Sequence, residues 1–201
     1  DKGYDRTYDV FADLTAGSGR NVNLDLQYAT HAAVKDVTNG VYITPTDNAT
    51  AMTNTITVSQ GKINVTKVNN VPAGNIPKNA TGIELASWNF NVIGEPIDVR
   101  TLVFKITPTA NGKPEHLDSM ILYNAAGTAL IGGVDGVGAS AATVGYATST
   151  DTFTLNPGDN ILTLKGTVDN NPSANDTFQI GIDMANTTNF IARGVNSSLD
   201  I

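Results

Sequence analysis

The sequence predicts an all-β fold, arranged as an antiparallel β-sandwich, and three observations lead to this prediction. Residues 81–109 contain two long alternating stretches that read as consecutive strands. The chain holds 19 Gly and 8 Pro together with abundant Thr and Asn, as expected for many strands joined by turns. No window of about eleven residues places apolar side chains at helical spacing, so periodicity argues against helices.

The two central strands carry the predicted core. The first places the single Trp of the chain on an inward face at period 2, and the second alternates in the same way after a turn at residues 94–96. With 201 residues, the chain is long enough to bury such a core without a disulfide or a metal. The predicted inward residues are Trp88, Phe90, Val92, Leu102, Phe104 and Ile106.

The other strands are predicted from the same alternation and from the turn residues between them. The N-terminal segment reads as a hairpin of residues 6–13 and 22–28, followed by a polar linker over residues 29–52. The further predicted elements are a long first strand over residues 53–68 with a bend at Gly61, a hairpin over residues 116–133, a flexible stretch of small residues over 134–150, a strand over 150–159 and a closing hairpin over 162–184.

The first and last hairpins align with each other in sequence. Thr7 aligns with Thr163 and Asp13 with Asp169, and the loops have the same length. Two hairpins with equal turns also arise by chance in all-β proteins, so both interpretations stay open. A true repeat makes residues 1–50 a hairpin and linker from the end of a preceding module, or a strand-exchange arm, and residues 51–201 a complete sandwich. The aligned inward residues are Val22, Leu24, Leu26 and Tyr28 with Phe178, Ile180, Ile182 and Met184.

Composition excludes several classes of partner and site. The formal net charge is −7 and the basic residues are scattered singly, which argues against a nucleic-acid partner. The chain has no Cys, so it forms no disulfide, thiolate metal site or cysteine nucleophile. No apolar run approaches the length needed to cross a bilayer, so we expect no membrane span in this chain.

Four segments follow one another along the chain: WNFNVIGEPIDVRTLVF (88–104), LDSMILYNAAGTALIG (117–132), FTLNPGDNILTLKGTVD (153–169) and TFQIGI (177–182). Their order resembles the Ig-like tandem repeat modules of bacterial S-layer-like and cell-surface proteins. The resemblance covers residues 53–185, and the N-terminal hairpin is similar to the tail of a preceding module. It implies an Ig-like sandwich, an extracellular location at the cell surface and a structural function. The glycine-rich stretch of residues 132–145 is longer than this family pattern leads us to expect.

One loop is rich in the hard oxygen ligands that calcium prefers. Asp169, Asn171 and Asp176 are the candidate calcium ligands within the turn after residue 168. Asp and Asn also stabilise turns without any ion, and the aligned N-terminal loop lacks such ligands, so turn chemistry is the default interpretation. No other cofactor is predicted.

Asn-x-Ser/Thr sequons are the candidate modification sites, because this pattern is the acceptor for N-glycosylation. Their number is only slightly above chance for a chain so rich in Asn, Ser and Thr. The candidates are Asn48, Asn64, Asn79, Asn175, Asn186 and Asn196.

Three other features invite a functional interpretation. His31 and His116, the only two histidines, are predicted to be solvated or turn residues, because no nucleophile elbow and no further zinc ligand accompanies them. The glycines of residues 132–138 lack the helix and the lysine of a phosphate loop, so a mobile loop or interface arm is predicted. Trp88 is either a core plug or, with Tyr123 and Tyr146, a sugar-stacking platform, and strand periodicity favours the core.

The sequence therefore predicts a non-enzymatic structural component of an extracellular assembly, either an S-layer-like array or a filament. We expect copies to associate with one another, and the N-terminal hairpin to complete a sheet of a neighbouring copy. The alternative is a carbohydrate-binding or adhesive surface module with cell-surface glycans as partners. A hydrolase is a distant third, since no paired carboxylates or nucleophile motif can be located.

Overall fold

The computed structural model describes residues 9–13, 20–24, 28, 31–46, 55–58, 60–68, 74–138 and 144–201. The chain divides into two compact units, Asp1–Ser59 (unit 1) and Gln60–Ile201 (unit 2). Both contain antiparallel strand pairs, so the predicted all-β class is confirmed. No helix among the described residues is long and apolar enough to cross a membrane.

The described part of unit 1 contains two short ladders. β1 pairs with β4, and β2 pairs with β3 around a turn in which the Asp36 carboxylate accepts a hydrogen bond from the Thr38 backbone N–H at 2.9 Å. The predicted hairpin is wrong for the described residues, because β1 pairs with the distant β4 and residues 9–13 form no strand; its remaining residues lie outside the described part. The strands are β1 (Asn21–Val22), β2 (Val34–Lys35), β3 (Tyr42–Ile43) and β4 (Ile56–Thr57).

Among its described residues, unit 2 contains ten strands and one short 3-10 helix, Pro114–His116. The two long central strands predicted from residues 81–109 are confirmed as β6 and β7. The strands are β5 (Lys62–Lys67), β6 (Ile83–Ile93), β7 (Ile97–Thr109), β8 (Leu117–Asn124), β9 (Val137–Gly138), β10 (Gly145–Ser149), β11 (Phe153–Leu155), β12 (Gly158–Val168), β13 (Thr177–Ile182) and β14 (Phe190–Gly194).

The strands of unit 2 form two sheets. The first has the order β5-β6-β12-β8. The second is organised around β7, whose 13 residues are long enough to pair with two strands along each edge. β10 and β11 pair along one edge of β7, β13 and β14 pair along the other, and β9 lies beyond β10.

The two sheets enclose one core. Trp88 of β6 stacks on Phe104 of β7 with ring centroids 5.9 Å apart, and Phe90 of β6 stacks on Phe190 of β14 at 6.4 Å. Trp88 is only 5% exposed, so it is the predicted core plug and the alternative sugar-stacking platform is wrong. All six predicted inward residues of the central strands are buried. The structure is therefore a β-sandwich held together mainly by the burial of these apolar side chains.

The predicted closing hairpin is wrong, because its two strands lie in different sheets. Both edges of β12 are occupied, one by β6 and the other by β8, so β12 has no edge left for β13. β13 crosses over and pairs with β7 instead. Met184, predicted to point inward, lies beyond β13 and is 51% exposed. The sequence alignment of the first and last hairpins therefore does not correspond to two equivalent hairpins in space.

The segment around Gly61 also differs from the prediction. The long first strand expected over residues 53–68 is divided between β4 in unit 1 and β5 in unit 2. The Gly61 backbone lies against the Glu95 side chain, and a Cβ at this position would stand 2.9 Å from Glu95 Cγ. At Gly61 the backbone therefore approaches the Glu95 side chain more closely than a residue with a Cβ would allow.

The glycine-rich stretch closes one side of the sandwich. The turn at Asn124–Gly127 returns the chain along β8, where Met120 bridges to Val134 and the Leu130 N–H donates to the Leu122 carbonyl. Gly136 packs directly on the Pro114 backbone. Residues 132–138 thus pack against β8 and the Pro114 backbone, and an interface function for this stretch stays a prediction; residues 139–143 lie outside the described part.

Candidate functional site

A polar cluster lies on the outer face of the first sheet. Because Trp88 and Phe90 of β6 point inward, the alternating residues Asn89 and Asn91 point outward. Register places Asn91 opposite Asp159 at the start of β12. The side-chain amides of Asn89 and Asn91 both donate to Asp159 Oδ1, at 2.9 and 2.8 Å.

These two amides stabilise the ionised form of Asp159. Hydrogen bonds from Asn89 and then Asn91 hold the pKa of the Asp159 carboxyl below its ordinary value, and burial opposes this only weakly. Both bonds end on Oδ1 of this exposed residue, so Oδ2 keeps its capacity to accept a hydrogen bond. Asp159 is thus an ionised carboxylate fixed in position by its neighbours.

Asp159 borders an open cleft of about 260 Å³ at one end of the sandwich. The Asn124 and Asn160 side chains in the cleft already form hydrogen bonds with the protein backbone. Asn124 Oδ1 accepts hydrogen bonds from the backbone N–H groups of Ala126 and Thr128, and Asn160 donates to backbone carbonyls that include that of Asn156. The lining residues are Asn124, Ala125, Ala126, Leu130, Thr154, Leu155, Asn156, Asp159, Asn160, Ile161 and Leu162.

The polar groups of this cleft can bind a ligand through hydrogen bonds. Asp159 is the only ionisable residue among the described residues that line it. Glycoside hydrolysis uses two carboxyl groups, and a nucleophile needs a base within hydrogen-bond reach. One fixed carboxylate with an accessible oxygen is suited to accepting hydrogen bonds from a hydroxyl-bearing ligand.

Glu95 forms a second polar cluster, at the turn that crosses from β6 to β7. Its side chain is only 8% exposed. Oε1 accepts a hydrogen bond from the Gly61 N–H at 3.1 Å, and Oε2 accepts from the N–H groups of Asn196 and Ser197 at 2.7 Å each. One carboxylate therefore connects the start of β5, the crossing turn and the segment that follows β14.

The pKa of Glu95 reflects this position. Burial raises the pKa of the Glu95 carboxyl, but the hydrogen bonds from the Ser197 side chain and from the backbone N–H groups of Ser197, Gly61 and Asn196 together lower it further. The net pKa is below the ordinary value. Glu95 is therefore ionised at neutral pH, and its geometry indicates a structural function.

The candidate calcium ligands lie in two separate hydrogen-bonded turns. Asp169 accepts hydrogen bonds from the backbone and the side chain of Asn171, at 2.9 and 2.6 Å. Asp176 accepts from the backbone N–H groups of Asn111 and Ser173, at 3.0 and 2.7 Å. Across the described ranges, no group of three or more His, Asp or Glu is arranged to hold a metal ion. The geometry gives these residues a turn-stabilising function, and calcium binding stays a prediction.

Five of the six sequons lie within the described residues. Asn79, Asn175, Asn186 and Asn196 are exposed, as an acceptor must be, and Asn64 is half-buried on β5. Asn79 and Asn175 adopt left-handed backbone conformations, with φ of 57° and 71°, which Asn tolerates better than most residues in turns. Asn48 lies outside the described part.

The histidines and tyrosines do not assemble into a site. His31 is exposed and contacts the Tyr28 ring edge at 5.1 Å. His116 is a turn residue but not a solvated one, because it is 7% exposed and its Nδ1 accepts a hydrogen bond from the Lys113 N–H at 3.2 Å. Tyr123 and Tyr146 lie on different sheets, in β8 and β10.

Sequence reasoning missed both polar clusters. For the Asp159 cluster, the available signal was the pair of Asn residues at positions i and i+2 of β6. Side chains with this spacing lie on the same face of a strand and can reach the same neighbouring strand. Glu95, a lone acid between two apolar strands, was the signal for the second. Comparison with protein-family models, with curated proteins and with solved structures finds no match for this chain.

Proposed function

We propose that this protein is a non-enzymatic structural component of an extracellular surface assembly, an S-layer-like array or a filament, whose sandwich is an Ig-like module. The resemblance in sequence motivates the location and the kind of assembly. The fold contributes an antiparallel sandwich, the architecture such modules use.

The observation that supports the proposal most strongly is the surface of unit 1. None of its described side chains is buried, and it contributes eleven of the twenty exposed large apolar side chains found among the described residues. Val37 is 96% exposed and Phe11 is 90% exposed. Exposed apolar side chains at this density mark a surface that other protein covers.

Electron microscopy of the purified chain, with and without calcium, tests this function. Ordered sheets or filaments are the expected result. Their loss in a chelator would assign the loop of Asp169, Asn171 and Asp176 to calcium, and Asp176→Asn would then have the same effect as the chelator. Monodisperse single particles in both conditions, at high protein concentration, would contradict the proposal.

The second candidate, a carbohydrate-binding or adhesive module, is favoured by one observation. Asp159 presents Oδ2 beside an open polar cleft, and half-buried Tyr123 lies on the same outer sheet face, where Lys165 Nζ stands 5.8 Å from its ring centroid. Glycan-array binding by the intact chain tests this function. Binding that is lost in both Asp159→Asn and Tyr123→Ala, but kept in Tyr146→Ala on the other sheet, would support it.

A further inference from the structure

We propose that the outer edge of β5 accepts residues 9–13 from unit 1 of a second copy of this chain as an added β-strand. This inference rests on the proposed assembly function, because it identifies the partner and the surface that join two copies. Added strands bind through backbone hydrogen bonds, and their side chains then select the partner.

The β5 side of the sandwich is the open one. β5 is the terminal strand of the first sheet, and among the described residues no strand pairs with its outer edge. β13 contacts β6 across the sandwich, so β5 and β13 lie on the same side. The apolar side chains along this seam pack against the core but stay only partly buried; they are Ile63, Val65, Ile180 and Ile182.

The opposite edge of the same sheet is closed. The return segment after the Asn124–Gly127 turn bridges to β8 at Tyr123 with Ala129 and at Met120 with Val134. Residues on that side, such as Leu122, are fully buried. A strand added beyond β5 would cover Ile63 and Val65 as the return segment covers β8.

Residues 9–13, Asp-Val-Phe-Ala-Asp, contain apolar side chains that can pack against the partly buried apolar side chains beside β5. Val10 is 70% exposed and Phe11 is 90% exposed, and the segment forms no strand in its own unit. In an extended strand, successive side chains point to opposite faces. One of these two side chains would therefore enter the seam beside Ile63 and Val65 while the other covers the outer face.

Charge selects the same segment. β5 begins with Lys62 and ends with Lys67 and contains no acidic residue, while residues 9–13 begin and end with Asp. Because side chains alternate along a strand, Lys62 and Lys67 point to opposite faces of the sheet, whereas Asp9 and Asp13 share one face. One lysine can therefore lie directly beside an aspartate, and the attraction to the second lysine acts over a longer distance from the other face. Edge lysines discourage pairing with uncharged or basic strands, so a strand with acidic ends is the partner that this edge favours.

Charge reversal tests the pairing in the full chain. Lys62→Glu with Lys67→Glu, or Asp9→Lys with Asp13→Lys, should each weaken self-association by about tenfold or more in sedimentation velocity at fixed ionic strength. A chain that carries all four changes should recover self-association. The matched control, Lys78→Glu with Lys105→Glu, changes the net charge equally at exposed lysines outside β5 and should leave self-association unchanged.

A cross-linking experiment separates pairing between copies from folding back within one copy. The chain contains no Cys, so an Asp9→Cys chain mixed with a Lys67→Cys or a Lys62→Cys chain forms a mixed disulfide only between molecules. The partner that reacts faster fixes the strand direction. A Thr148→Cys chain, altered on the other sheet, should not react.

The outcomes distinguish this inference from the proposed function. Ordered polymers that ignore both charge reversal and cross-linking position would overturn the β5 edge as acceptor and leave the assembly function standing. Dispersed monomers without mixed disulfides would overturn both. A disulfide that forms within a chain carrying both Asp9→Cys and Lys67→Cys, but not in mixtures, would overturn the second copy as partner.

Discussion

Replacing the buried Glu95 by Gln should destabilise unit 2. The carboxylate accepts three backbone hydrogen bonds, from Gly61, Asn196 and Ser197. The amide of Gln has one oxygen and one NH₂ group, so at least one of these N–H groups would face another donor. Hydrogen bonds to charged groups contribute about 1.5 to 3 kcal/mol each, and a buried donor left unpaired costs about as much. Since the three bonds share one side chain, we expect a total loss of about 2 to 4 kcal/mol in the free energy of unfolding.

Urea unfolding followed by tryptophan fluorescence measures this loss. Trp88 is the only Trp in the chain and lies in the core of unit 2, so its emission reports the unfolding of that unit. Glu84→Gln is the matched control. Glu84 pairs with Lys165 at 3.4 Å, but the two side chains are 51% and 38% exposed, and a pair of this kind contributes at most about 1 kcal/mol.

The pH dependence gives an independent check of the same contacts. The pKa of Glu95 is lowered in the folded protein, so its stabilising contribution is present above the ordinary value of 4.5 and is lost as pH falls through the lower, folded pKa. In that window the unfolded chain binds more protons, and the stability of the native protein therefore falls more steeply with acid than that of Glu95→Gln. Equal urea midpoints for the two proteins at pH 7, or parallel losses on acidification, would refute the reasoning.

Two further predictions concern the polar cluster and the glycine-rich segment. In an NMR titration, Asp159 should ionise below the ordinary value of 3.8, and Asn89→Ala or Asn91→Ala should move its midpoint up; a midpoint unchanged in both variants would contradict the hydrogen-bond cause. Gly136→Ala should cost about 1 to 3 kcal/mol in the same urea assay, because the added Cβ would overlap the Pro114 backbone. Gly181→Ala, where the added Cβ meets open space, should change stability by no more than about 0.5 kcal/mol, and equal effects at the two glycines would contradict the packing argument.

Alternation in the sequence predicted the strands well where one face is buried. β6 and β7 show this most clearly, because most of their buried residues are apolar and alternate with more exposed ones. Val103 is an exception, since it is only 5% exposed although the alternation places it outward. The turn at Asn124–Gly127 was also predictable, since Gly127 adopts a φ of 79° that favours glycine.

Pairing partners were not predictable in the same way. A period of 2 states which face of a strand is buried and contains no information on which sheet the strand joins. The loop between β12 and β13 has a length that suits either a hairpin or a crossing between sheets. The choice depends on β8, which occupies the second edge of β12 and lies far away in sequence.

The polar clusters depend on the same long-range register. Asp159 meets Asn89 and Asn91 only because β12 pairs with β6 in one particular alignment. Glu95 acquires its partners from residues 34 and 101 positions away in the chain. Local residue patterns supply the candidates for such contacts, but tertiary pairing decides which of them form.

The Glu95 contacts also determine how mechanical tension enters unit 2. Gly61, where the chain enters, and Asn196 and Ser197, close to the last residue, bind the same carboxylate, and a Cβ on Gly61 would stand only 3.2 Å from Ile201 Cδ1. A force applied at Gly61 and at Ile201 therefore acts first on the few hydrogen bonds to Glu95, at one end of unit 2. It does not act first on the pairing between the long strands. When the chain is pulled at these two points, we expect the hydrogen bonds at Glu95 to bear the force first. The strands of the core would be loaded only after these bonds break.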